Sequence, residues 1–376
     1  MRCRDGGIGR RTRLKIVRSD PWEFDSPSRH IYTDMKKLPI LVILGPTATG
    51  KSDLAVRLAQ TIAREKIGGY DGAEIISADS RQVYRSMNIG TGKVTEKEMG
   101  GIHHHLLDVA DPKKRFSVVE YQKLANRAIE EIAARSMLPI ICGGTGFYID
   151  AVLGTTAFPA VSEDKVLRSK LGKRTVPQLY RMLSKLDPRR ATSMNESDSQ
   201  NPVRLIRAIE IACSKLDATG NDGRVTDSQP AEKTSPSVTA LPITHHYEPI
   251  TIGLEVPLPT LRERINDRLL KRLDAGMLDE CRKLHEPRKA GGEGLSWKRM
   301  EELGLEYRYQ ALYLQGQISM DEMVDKLRIA IGQYVKRQIT WFKRNKDIHW
   351  FRPEQYDEIV KFAQHRFPPG GTHIKK

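Results

Sequence analysis

The chain has 376 residues, which at roughly 150 residues per domain allows two domains or one large core with an insertion, and excludes a disulfide-stapled miniprotein. With 39% hydrophobic and 29% charged residues, a mean hydropathy of −0.49 and no long apolar run, it can bury a sizeable core but offers no segment to span a bilayer. Lys+Arg 62 against Asp+Glu 47 leave +15, a surplus that suits a polyanionic partner, nucleic acid first.

Residues 1–37 hold ten Lys/Arg and five acidic residues without apolar periodicity or a secretory hydrophobic stretch, and read as a basic, disordered extension. Cys3, Cys142, Cys213 and Cys281 form no close pair, which points to a reducing, cytoplasmic setting. Leu38 to Leu44 is an apolar, β-branched run followed by Gly45-Pro46-Thr47-Ala48-Thr49-Gly50-Lys51-Ser52 and then a helical pattern to Ile62. Strand, glycine loop and helix in that order, with G-x-x-x-x-G-K-S spacing, make a P-loop. The glycines let backbone N–H groups face phosphate oxygens, Lys51 adds a cation, Ser52 can hold a magnesium ion (Mg2+), and the helix N-terminus adds its dipole.

A second strand, Ala73 to Ala78, ends at Asp79-Ser80-Arg81-Gln82, and a third, Met137 to Cys142, ends at Gly143-Gly144-Thr145-Gly146, with a helix from Ser117 to Ala134 between them. Alternating strands and helices imply a parallel α/β sheet whose ligand crevice lies at the carboxyl ends of the strands. After a break at Gly154 to Pro159, the stretch from Ser162 to about Asn195 reads as short amphipathic helices, and 156–201 is expected to be a helical insertion. Residues 38–155 and 202–352 then form the P-loop core. A helix resumes at Arg204, 217–246 is a Ser/Thr/Pro/Gly-rich flexible loop, and a strand follows at Ile250 to Glu255. Long helical patterns cover Pro259 to Lys283 and Ser319 to Lys343, and 367–376 is a polar tail.

A P-loop alone points to ATP or GTP chemistry, and a small-molecule kinase is one reading. Asp79 is the one well-placed acidic residue at a strand end. Its neighbours Ser80, Arg81 and Gln82 suit holding and deprotonating a heteroatom nucleophile at least as well as binding a metal. The adjacent His103, His104 and His105 cannot all face one ion from a regular element, so no metal is expected there.

The chain resembles the tRNA dimethylallyltransferases, or tRNA isopentenyltransferases. The resemblance rests on the P-loop as written above, Ile75 to Tyr84 (IISADSRQVY), Met87 to Lys93 (MNIGTGK), His104 to Val109 (HHLLDV), Gly143 to Tyr148 (GGTGFY), Arg204 to Glu210 (RLIRAIE) and Lys336 to Phe342 (KRQITWF). Lacking a C-terminal Cys/His zinc finger, the chain is similar to the bacterial type. The resemblance implies transfer of a dimethylallyl group from dimethylallyl diphosphate to N6 of adenosine 37 of tRNA, beside the anticodon, by a monomer. It makes Asp79 the general base, with Thr145 and Arg168 contacting the diphosphate or the base. Arg268, one turn from Arg264, reaches the diphosphate. Ser80, Arg81, Gln82, Arg204, Arg207, Tyr307, Arg308, Lys336, Arg337, Gln338 and Trp341 contact tRNA, together with Asp79 itself. Asn201 to Val203, and Glu306 and Tyr309 in an expected turn from Gly304 to Tyr309, depart from the family's pattern. A prenyltransferase acting on free adenine nucleotides shares the P-loop and the aspartate but has no need of the basic C-terminal segments.

Overall fold

The computed structural model describes residues 37–155, 161, 163–219 and 247–367. The expected N-terminal extension up to residue 36, the break at 156–160, most of the flexible loop (220–246) and the tail from 368 lie outside them.

Leu38–Leu44 (β1) is buried at five of seven positions, as an apolar strand covered by helices on both faces requires. In chain order there follow α1 (Lys51–Glu65), β2 (Gly72–Ser77), α2 (Glu96–Met99), β3 (His104–His105), α3 (Val118–Ala133), β4 (Met137–Gly143) and α4 (Gly146–Leu153). Short helices α5 (Lys165–Leu171), α6 (Val176–Leu186), α7 (Pro188–Ser193) and α8 (Glu196–Ser199) lead into α9 (Pro202–Thr219). The remainder is β5 (Tyr247–Leu254), α10 (Leu258–Asp274), α11 (Met277–His285), α12 (Trp297–Leu303), α13 (Leu305–Leu314), α14 (Met320–Phe342), β6 (His349–Phe351) and α15 (Tyr356–Arg366).

The six strands form one parallel sheet in the order β3-β2-β4-β1-β5-β6. Alternation along β1 splits its side chains between two cores. Ile40, Val42 and Leu44 meet Tyr121 and Ile129 of α3 and Ile149 of α4. Leu41 and Ile43 meet Leu58 and Ile62 of α1 and Ile359 of α15. Each fully buried aliphatic side chain contributes about 1.5–3 kcal/mol, so the central strands anchor the loops that leave them.

The helix from Ser117 and the one from Ser319 begin with capping boxes, each serine accepting from the N–H of the glutamate three residues on while that carboxylate returns to the serine N–H. The pattern expected to run from Pro259 to Lys283 is two helices, because Gly276 takes φ +92, a left-handed conformation that starts α11 at a new angle. The segment expected as a turn from Gly304 to Tyr309 opens α13 instead. Gly304 ends α12, and the residues after it favour helix.

The short amphipathic helices expected between Ser162 and Asn195 are α5 to α7. Their Leu171, Leu179 and Leu183 close on Leu205, Ala208 and Ile209 of α9, so the core of the helical unit reaches past residue 201, where the sequence suggested it would stop. Residues 217–219, read as the start of the flexible loop, still belong to α9. No helix of the described residues is long and apolar enough to cross a membrane.

Candidate active site

Strands β2, β4 and β1 are neighbours and parallel, so the loops leaving their carboxyl ends meet at one edge of the sheet. Gly45 opens the P-loop at φ +151, where a Cβ would lie 2.6 Å from the Leu254 carbonyl oxygen, so only glycine passes β5. Ala48 and Gly50 also take positive φ, and the loop curls so that successive amides can face an anion. The buried Thr49 hydroxyl donates to the Pro46 carbonyl at 2.9 Å, and Lys51 Nζ folds back to the same oxygen at 2.6 Å. Gln338 of α14 braces the loop from behind: its Oε1 accepts from Thr47 N–H at 3.0 Å, and its Nε2 donates to the Gly144 carbonyl at 2.8 Å.

Beyond β2 the chain turns around Asp79, whose Oδ1 accepts the N–H groups of Arg81 at 2.8 Å and Gln82 at 3.2 Å. Its Oδ2 has no hydrogen-bond partner among the described residues. Thr145, after β4, accepts from Ser80 N–H on Oγ1 at 3.1 Å and donates its own N–H to the Ala78 carbonyl at 3.1 Å, locking the two loops together.

The opposite wall is α10. Arg268 donates to the Gly92 carbonyl at 3.2 Å, and Arg272 donates to the Gly90 carbonyl at 3.3 Å and to Glu306 Oε1 at 3.4 Å. A Cβ on Gly92, whose φ is +58, would meet the ends of both guanidiniums, so a side chain there would push the two arginines aside. P-loop, Asp79 turn and α10 enclose a cleft of about 150 Å³.

Its electrostatics are those of a cation-rich, largely buried cleft. Burial pushes the Lys51 ammonium down to about 8; Cys142 opposes the shift, Arg268 adds to it, and Asp79 opposes it. Burial and then Arg272 bring the Arg268 guanidinium down to about 10. Glu306 is raised by burial, against the pull of Arg272. Cations depressed in this way recover their ordinary basicity when a polyanion joins them. The Tyr334 phenol, which lines the cleft, is pushed up to about 12, chiefly by burial, and stays neutral. Burial likewise lifts the Cys142 thiol to about 12, which leaves it without nucleophilic character. Ser52 enters the cleft from the first turn of α1, and Asp79 borders the same space. Hydroxyl and carboxylate oxygens are the hard donors magnesium takes, so the side chains present fit that ion.

The cleft thus brings together Thr47, Ala48, Lys51, Ser52, Asp79, Ser80, Arg81, Gln82 and Arg268. Arg264 is not among its lining residues; the arginine paired with Arg268 is Arg272, one turn further on. Arg168 is not brought to the cleft either. Its Nε and Nη2 donate to Glu210 at 2.7 and 2.8 Å, and Glu163 lies at 2.7 Å. The Glu210 side chain is only 1% exposed, and Arg207 also serves it, donating besides to the Val161 carbonyl. Arg168→Ala is therefore expected to cost about 2 kcal/mol of stability, less than a fully buried pair because Arg207 remains, and to leave the KM for a diphosphate substrate within twofold. Denaturant unfolding and steady-state kinetics check both.

Three residues read as tRNA contacts already have partners within the protein, Tyr307 and Gln338 buried and Trp341 half-buried. Tyr307 is 1% exposed with its hydroxyl on Glu280, Gln338 braces the P-loop, and Trp341 Nε1 donates to Asp150 at 2.9 Å. Gln338 shares the inner side of α14 with Ile331, Val335 and Phe342, which its amide alone does not reveal. Lys336, Arg337 and Arg308 are exposed, as is Arg204 beside Asp198. His104 borders the cleft, whereas His103 and His105 gather with Glu74 on another side. Glu74 Oε2 already pairs with Arg135 and is hydrogen-bonded to His105 Nε2, each at 2.6 Å, so the carboxylate is engaged within the protein.

A family model described as IPP transferase matches residues 82–345. Tested against curated proteins, the chain is 40% identical over 315 residues to tRNA dimethylallyltransferase 2 of Trichlorobacter lovleyi, covering 83% of this chain and 91% of that protein. It is 40% identical over 328 residues to tRNA dimethylallyltransferase 1 of Syntrophus aciditrophicus, covering 85% and 95%. Among solved structures, the full-length tRNA isopentenylpyrophosphate transferase of Bacillus halodurans matches with TM-score 0.58 at 32% identity over 88% of this chain and 98% of that one. A eukaryotic dimethylallyltransferase acting on tRNA matches with TM-score 0.66 at 22% identity over 89% and 82%, a likeness of fold alone.

Proposed function

The chain belongs to the IPP transferase family, and from that premise we propose that it transfers a dimethylallyl group from dimethylallyl diphosphate to the N6 amine of adenosine 37 of tRNA, next to the anticodon, releasing diphosphate. The observation that carries this reading is the cleft itself: Lys51 and Arg268, both depressed by burial, and Arg272 line the same space as Asp79, whose Oδ2 has no hydrogen-bond partner among the described residues. Anion-binding groups and the carboxylate thereby share one cleft.

In the reaction the allylic C–O bond breaks and its electron pair leaves with the diphosphate. The N6 lone pair forms the new C–N bond, and the N6 proton passes to Asp79 Oδ2. Positive charge grows on the allyl carbon and negative charge on the leaving group. The P-loop amides, Lys51 and the two arginines border the space the latter would fill. Lys51 would exchange the Pro46 carbonyl for diphosphate oxygens, and the arginines would donate their remaining N–H groups to them, so stabilising its departure. Ser52 would hold a magnesium ion, which adds charge to the diphosphate side and so favours departure. Thr145 fixes the Asp79 turn by accepting from the Ser80 N–H, and Tyr334 lines the same cleft.

An adenine stacked in a loop cannot reach Asp79, so it must be flipped out at a cost of a few kcal/mol. Contacts to the tRNA backbone from exposed Lys336 and Arg337 offset that cost and release counterions. Replacing both by Ala is expected to weaken tRNA binding, flatten its salt dependence by about two phosphate contacts, and raise the tRNA KM more than it lowers kcat. Binding measured across a salt series checks this; an unchanged slope would make the pair an ordinary solvated face.

The direct test is incubation with labelled dimethylallyl diphosphate and unmodified tRNA, followed by nucleoside analysis. Label in the nucleoside 3′ of the anticodon is the expected result. Label only on free adenine nucleotides, or phosphate transfer from ATP in its place, would overturn the reading.

A further inference from the structure

The segment Met87 to Lys93 carries no group that reacts, yet it is the bed on which the two cleft arginines rest, through the carbonyls of Gly90 and Gly92. What shapes this bed comes from α11. Glu280 Oε2 accepts the N–H groups of Asn88 at 2.8 Å and Ile89 at 2.7 Å, while Oε1 accepts that of Gly90 at 3.0 Å and the Tyr307 hydroxyl at 2.7 Å. Three consecutive amides converging on one anion form a nest, and here the anion is the protein's own carboxylate. Hydrogen bonds to a charged acceptor are roughly twice as strong as neutral ones, so four of them on one side chain define the loop tightly. The anchor does not yield. Cys281, next in the chain, is fully buried against Met300, and Tyr307 is buried as well. A Cβ on Gly90 would lie 2.7 Å from the Tyr307 hydroxyl, so the loop lies directly on that ring.

We infer that Glu280 is a positioning residue for the donor site: it sets the backbone of residues 88–92, whose carbonyls hold Arg272 and Arg268 toward the diphosphate. Glu280 does not line the cleft; it acts through the loop backbone, whose Gly90 and Gly92 carbonyls hold the two arginines and whose Gly92 carbonyl also accepts from Gln82 Nε2 at 3.1 Å. The inference rests on the donor-binding reading above. It predicts a specific division of effects, since a displaced arginine pair weakens the diphosphate's hold while Asp79 and the basic tRNA-facing residues stay in place.

The test is Glu280→Gln, in which the carboxamide keeps one acceptor oxygen and turns an NH2 group against the amide donors. The donor KM is expected to rise about tenfold or more, the loss of a charged hydrogen-bond acceptor, with kcat within about threefold and tRNA affinity unchanged. Tyr307→Phe removes one of the four donors and is expected to raise the donor KM by a smaller factor, about threefold. In hydrogen exchange the amides of Asn88, Ile89 and Gly90 are expected to be slow in the wild type and faster in Glu280→Gln. A folded Glu280→Gln with wild-type donor KM overturns the inference, as does a fall of tRNA affinity in step with donor affinity, which would mark a merely structural role. Should Glu280→Gln not fold, fast exchange of the three amides in the wild type overturns it instead. Calorimetric binding of inorganic pyrophosphate to both proteins separates this outcome from failure of the functional reading. A wild type that prenylates no tRNA refutes the function, whereas equal pyrophosphate affinities refute the role of Glu280.

Discussion

Asp79→Asn is expected to lower kcat by about 10²–10⁴-fold, the range for a lost general base, while tRNA affinity and the donor KM stay within a few-fold. The geometry makes this substitution unusually clean. Asp79 Oδ1 is the oxygen that accepts from Arg81 and Gln82, and an asparagine carbonyl can accept both bonds, so the turn survives. The amide nitrogen takes the place of Oδ2, where it cannot receive the N6 proton. Asp79→Ala should look different, because it orphans two backbone N–H groups as well as removing the base, and it should lose thermal stability along with turnover. Single-turnover rates of prenyl transfer for both variants, with melting temperatures, distinguish the two effects. An Asp79→Asn enzyme with full single-turnover rate would remove Asp79 as base. A raised magnesium requirement in that variant at an otherwise normal rate would make Asp79 a metal ligand instead.

How much of this was legible beforehand depends on whether a feature is written locally. β1, β2, β4 and β5 are apolar, β-branched runs ending in glycine or a polar cluster, and α3 and α14 announce themselves by capping boxes and a helical period. β3 and β6, two and three residues long, are too short to carry any period and exist because the sheet edge offers them a partner. The P-loop and the Asp79 turn are legible because phosphate binding and turn formation are short-range requirements on residue type and spacing. Periodicity puts Arg264 and Arg272 each one turn from Arg268, and only the position of Gly90, Gly92 and Glu306 brings Arg272 to the cleft. Tyr307 and Gln338 misled in the opposite sense. A hydroxyl and an amide look like surface groups, yet each is buried with a partner distant in sequence, Glu280 for one and the P-loop for the other. Glu280 itself sits in a plain amphipathic helix, and its four partners lie in segments far from it along the chain.

Lys51→Ala should abolish most donor use, with kcat/KM for dimethylallyl diphosphate falling by about 10²–10³-fold, the cost of one preorganised group at a developing charge, and tRNA affinity unchanged. The pH dependence identifies the cause. In the donor-free protein Lys51 titrates at about 8 instead of 10.5, so between those values the unfolded chain binds more protons than the folded one. Stability of the donor-free protein should therefore rise as pH climbs through that window, a rise that Lys51→Ala lacks. A bound diphosphate reverses the sign. It favours the ammonium and returns the group toward its ordinary value, so above pH 8 binding must take up a proton, and donor affinity should decline as pH rises past that point. Calorimetry with dimethylallyl diphosphate at pH 7, 8 and 9, in buffers of different ionisation enthalpy, reads the proton uptake directly. Wild type should bind without uptake at pH 7 and take up most of one proton at pH 9, whereas Lys51→Ala should bind weakly, with no uptake from this group at either pH. Parallel profiles for the two proteins would mean that the lysine, folded back on the Pro46 carbonyl at 2.6 Å, stays there when the donor arrives and supports the loop instead of gripping the phosphate.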